Sequence, residues 1–150
     1  MVSVGIVAAD KAVSVGLGRL FSRQPSVRPM ELPATAGDAG TDHVPPDLIV
    51  IDVWPPSDGR AESMCAIWHA RYPRAALVAV VHRPTPALLA RLRRFGASAL
   101  WPKGEVRQLP AFALGLLSRR APLAPPGPEG PTTVVRPAPT HATLPPWTRP

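Results

Sequence analysis

The chain has 150 residues, enough for one domain or a domain with a tail, and too few for a large multidomain enzyme. Of its 22 prolines, ten lie between Pro122 and Pro150, in a stretch with one acid and no apolar periodicity. Residues 1–120 are therefore expected to form one domain, and 121–150 a Pro-rich disordered tail. The net charge of +7 is spread over fifteen arginines and two lysines with no dense basic patch, which disfavours nucleic-acid binding, and the single Cys65 excludes a disulfide scaffold.

In chain order, Val2 to Ala9 is short, apolar and β-branched, the pattern of a buried strand. Asp10 and Lys11 break it. Val13, Leu17, Leu20 and Phe21 then recur at helical spacing, predicting a helix over Ala12 to Arg23. A weak extended segment ends near Leu32, and Pro29 would make it an edge strand. Ala34 to Pro46, rich in glycine and proline, could hold only a short second helix. Leu48 to Val53 is the strongest strand pattern, followed by the loop Trp54 to Gly59. A third helix is expected to run to Arg71, with Met64, Ile67, Trp68 and Tyr72 on one face.

Ala75 to Val81 is another buried strand. It is also the best apolar run in the chain, far short of the ~20 residues needed to span a bilayer. Leu88, Leu89, Leu92 and Phe95 form a fourth helical stripe, ended by Gly96. Ala97 to Trp101 reads as a fifth strand. Leu109, Phe112, Ala113, Leu116 and Leu117 mark a fifth helix, with Pro110 in its first turn. Strands alternating with helices predict an α/β fold: a doubly wound parallel sheet with helices on both faces. With no secretory signal and no membrane span visible, a cytoplasmic protein is expected.

Doubly wound sheets place their sites at the carboxyl ends of strands. Asp10, Asp52 and Lys103 are the polar residues expected there. The segments Pro46–Asp52 with Pro56 and Asp58-Gly59, Phe95–Lys103, Gly16–Phe21 and Ala75–Val81 together resemble the receiver domain of two-component response regulators. The likeness is greatest to receivers that precede a LuxR-type helix-turn-helix, and it runs from about Val2 to Leu117. It implies a flavodoxin-like, five-stranded sheet of order 2-1-3-4-5. No output domain is expected, because only the Pro-rich tail follows Leu117.

The resemblance implies that Asp52 stands at the phosphoacceptor position and Lys103 at the position of the phosphate-pairing lysine. The other expected positions are lost. The metal-binding acid pair falls on Ala8 and Ala9, the serine or threonine on Val81, and the aromatic switch on Leu100. Asp10 lies one position beyond the acid pair. An alanine cannot ligate a hard cation, so no cofactor is expected, and magnesium only if Asp10 substitutes for the lost acids. The resemblance thus implies a degenerate receiver, not an enzyme, in which Asp52 is phosphorylated weakly or not at all and Lys103 pairs with it structurally.

Protein contacts are the expected mode of action. They would use the fourth helix, fifth strand and fifth helix, where Arg91, Arg94 and Arg107 would surround an apolar seam, with a second copy of the chain as one candidate partner. Two alternatives are a regulator remnant without its DNA-binding domain, and a small-molecule-binding pseudo-receiver. The latter would use a pocket lined by Ala8, Ala9, Trp54 and Trp101. The four histidines show no metal-ligand spacing, and Gly16-x-Gly18 lies within a helix rather than in a phosphate loop. Cys65 is expected to pack as a small apolar residue.

Overall fold

Five strands form a single parallel sheet of order β2-β1-β3-β4-β5 in a computed structural model that describes residues 1–34, 44–54 and 59–120. The strands are β1 (Val2–Val7), β2 (Val27–Leu32), β3 (Leu48–Asp52), β4 (Ala76–Val81) and β5 (Ala99–Pro102). The helices are α1 (Lys11–Ser22), α2 (Arg60–Arg71), α3 (Pro86–Arg93) and α4 (Leu109–Arg119), with a 3-10 segment at Lys103–Gln108. The expected doubly wound sheet and its strand order are therefore observed. The expected tail and most of the Ala34–Pro46 segment lie outside the described residues.

The central strands explain the layering. Every residue of Leu48–Asp52 and of Ala76–Val81 is buried, as a strand covered by helices on both faces requires. Side chains alternate across the sheet. Ile49, Ile51, Leu77, Ala79 and Leu100 pack with α2 and α3 residues such as Trp68 and Leu92. Leu48, Val50, Val78, Val80 and Trp101 pack with Leu17 and Phe21 of α1 and Leu109 and Ala113 of α4. β2 pairs only with β1, and Pro29 stands opposite Val4 on this edge.

Local signals account for the helix boundaries. Asp10 is the N-cap of α1, and Thr85 that of α3, where its hydroxyl accepts from the Leu88 N–H at 3.1 Å ahead of Pro86. Past α3, Gly96 has φ +96°, and a Cβ there would overlap the His69 side chain on α2. Only glycine meets both demands.

Two helical faces differ from expectation. α2 buries Ala61, Met64, Cys65 and Trp68, while Ile67 is 48% exposed. Phe95 lies beyond the end of α3 and is exposed rather than part of its buried stripe. In both cases the apolar spacing admitted two neighbouring faces, and packing against the sheet selected one. The first strand ends at Val7, so Ala8 and Ala9 fall in the turn before α1.

Candidate functional site

The carboxyl ends of the parallel strands lie along one edge of the sheet. Asp52 closes β3 opposite Val80 of β4, and Val81 pairs with Pro102 of β5. Alternation along β3 puts Asp52 on the same face as Leu48 and Val50, toward α1. Lys103 opens the 3-10 segment directly after β5. Its Nζ lies 2.9 Å from Asp52 Oδ1 and 4.7 Å from the centre of the Trp54 ring. The ammonium thus joins an ion pair and a cation–π contact. The 3-10 segment is held by Trp101, whose indole N–H donates to the Glu105 carbonyl at 2.8 Å and whose ring packs 4.5 Å from that of Phe112.

The remaining positions do not converge on this pair. Asp10 is exposed, and its Oδ1 accepts from the Ala12 N–H at 2.7 Å, so the carboxylate caps α1. Val81 is buried among α2- and α3-side residues, on the opposite face of the sheet from Val80. His82 is exposed beside it. Leu100 is fully buried. A divalent cation needs several oxygen ligands. Here Asp52 is already engaged by Lys103, Asp10 caps a helix, and Ala8 and Ala9 offer no side-chain oxygen. Among the described residues no three His, Cys, Asp or Glu side chains cluster as a metal site. The described donor set does not fit magnesium.

A cavity of about 310 Å³ opens instead between α1 and the 3-10 segment. Its walls are Val13, Gly16, Leu17 and Leu20 of α1 with Val80 and Val106, and Asp52 and Lys103 form its polar end. This cavity is distinct from the pocket expected from the sequence. Ala8, Ala9, Trp54 and Trp101 are not among its lining residues. Trp101 is buried in the core, whereas Trp54 is half exposed and lies against Lys103. The sequence signal for this lining is Gly16, an absent side chain on α1.

Two of the three arginines also differ from expectation. Arg91 Nε pairs with Glu62 Oε1 of α2 at 2.6 Å. Arg94 lines the same α2–α3 groove with Phe95. Neither surrounds a seam on the α4 side. α4 itself carries no charge before Arg119, and its Phe112, Leu114, Leu116 and Leu117 are only partly buried.

The topology matches that of solved structures, among them response regulator receiver domains. The fold is that of a receiver domain. A two-component response regulator of the LuxR family from Aurantimonas sp. SI85-9A1 superposes with a TM-score of 0.65 at 21% identity, covering 79% of this chain and 86% of that one. A CheY-like response regulator receiver domain protein from Methanospirillum hungatei JF-1 superposes with a TM-score of 0.61 at 16% identity, covering 79% and 95%. A protein from Burkholderia thailandensis named for pilus assembly gives a TM-score of 0.65 at 16% identity, covering 79% and 99%. No family model and no curated protein matches the sequence. No helix among the described residues is long and apolar enough to cross a membrane.

Proposed function

We propose that residues 1–120 act as a degenerate receiver, a cytoplasmic regulatory module rather than an enzyme. It works through protein contacts and without efficient phosphorylation of Asp52. The observation that carries this reading is α4. A helix that is apolar on all sides is stable when covered on all sides. α4 presents Phe112, Leu114, Leu116 and Leu117 half-buried, with no charged residue before Arg119. A protein partner, or a second copy of the chain, covers that side.

The strand-end chemistry supports the second half of the proposal. Phosphoryl transfer depends on positioning and on neutralising the charge of the transferred group. Lys103 supplies one positive charge, and it already sits on Asp52. With Ala8 and Ala9 in place of acids and Val81 in place of a hydroxyl, neither a cation nor the phosphoryl oxygens gain further partners. Lys103 and Asp52 then serve as a fixed structural pair.

The test is site-specific photo-cross-linking in cells, with the reactive residue at Leu116 or Leu117 and, as a control, at the exposed Arg28 on the β2 edge. The proposal predicts a discrete protein adduct from α4 but not from Arg28, unchanged by Asp52→Ala. An adduct that requires Asp52, or no adduct from α4, contradicts it.

A further inference from the structure

We propose that the cavity between α1 and the 3-10 segment is a binding site for a small, electrically neutral molecule with an apolar body and one amide- or alcohol-like head. The inference stands apart from the protein-contact reading. At about 310 Å³ the cavity falls within the size range of small-molecule pockets. Its walls are aliphatic: Val13, Leu17, Leu20, Val80 and Val106. They suit a hydrocarbon body and offer it no polar partner.

The polar end decides the charge of the ligand. Asp52 and Lys103 lie 2.9 Å apart and together carry no net charge. A carboxylate head would meet Lys103 but also face Asp52, and an ammonium head would meet the reverse. Either would exchange water for an apolar site without a counter-ion of its own. A neutral head that both donates and accepts can serve the two charges at once, donating to the carboxylate and accepting from the ammonium, whose three N–H groups exceed the needs of one carboxylate oxygen.

Gly16 supplies the handle for a test. It lines the cavity, is exposed, and a Cβ built on it meets no atom within 4 Å. A side chain there enters the cavity without displacing the core, and replacing a helical glycine favours the helix.

N-phenyl-1-naphthylamine, a neutral aromatic amine whose fluorescence rises in apolar sites, is titrated into the full chain at neutral pH. It is then displaced with octanamide, octanoate or octylammonium. The expected result is saturable binding at one site per chain, with octanamide displacing the reporter at least tenfold better than either charged compound. Amide NMR shifts of the unaltered protein should move at Val13, Gly16, Leu20 and Val106. Gly16→Leu should weaken binding at least tenfold with an unchanged or higher melting temperature. Absence of saturable binding, equal displacement by the charged compounds, or shifts confined to other residues overturns the proposal. Because no partner protein is present, failure here leaves the α4 cross-linking result unaffected, and the reverse holds too.

Discussion

Asp52 and Lys103 are 2.9 Å apart but unequally buried: the aspartate side chain is 3% exposed and the lysine side chain 26%. Removing one partner therefore does not equal removing the other. Lys103→Met would leave a carboxylate buried without its counter-ion, an arrangement that costs about 3 kcal/mol or more. Asp52→Asn would leave an ammonium that can turn toward water, and should cost about 1 kcal/mol, the scale of one net hydrogen bond. Urea unfolding of the two variants should show this order. Equal losses would mean that the cavity solvates Asp52 well enough to replace its counter-ion.

Asp10 is a helix cap. Asp10→Ala should lower stability by about 1 kcal/mol, and Asp10→Asn by much less, since asparagine caps equally well. Thermal unfolding separates the two. Equal losses from both would point to a role for the carboxylate's charge rather than for its hydrogen bond to the Ala12 N–H.

Gly96 carries a positive φ and leaves no room for a Cβ against His69. Gly96→Ala should destabilise the protein by about 1–3 kcal/mol through the left-handed conformation alone, with the overlap adding to it. His69→Ala in the same background should recover only the part due to overlap. An unfolding midpoint unchanged by Gly96→Ala would contradict the described α3–β5 turn.

Cys65 is fully buried on α2, and burial, assisted by the negative charge of Glu62, pushes its thiol up to about 12. The thiolate is the reactive form. Iodoacetamide at pH 8 should therefore leave the folded protein unmodified and alkylate it quantitatively in urea. Rapid native alkylation would show that α2 opens from the sheet.

Much of the architecture was legible because the signals were local and unambiguous. Leu48–Asp52 and Ala76–Val81 are continuous apolar runs, and continuous burial is what a two-sided parallel sheet imposes. Asp52 and Lys103 were legible as neighbours because parallel strands bring their carboxyl ends to one edge. The neighbourhood of that pair was not. Trp101 was expected at the rim; it does lie on the Asp52 face of the sheet, but it is buried there, bonded to the Glu105 carbonyl and packed on Phe112. No element was expected between Trp101 and Leu109, where the 3-10 segment lies, so Val106 was missed as a wall of the cavity. Arg91 was assigned to the α4 side because helical spacing gives its position on the helix but not its partner. Glu62 of α2, 2.6 Å from its Nε, decided its direction.

The proposal that Asp52 is not efficiently phosphorylated is tested most directly by intact-mass measurement. The full chain is incubated with acetyl phosphate and magnesium, alongside Asp52→Ala. The account predicts no phosphoryl adduct on either protein over the time in which the unaltered chain remains folded. A magnesium-dependent phosphoryl adduct on the unaltered chain, absent from Asp52→Ala, would contradict it.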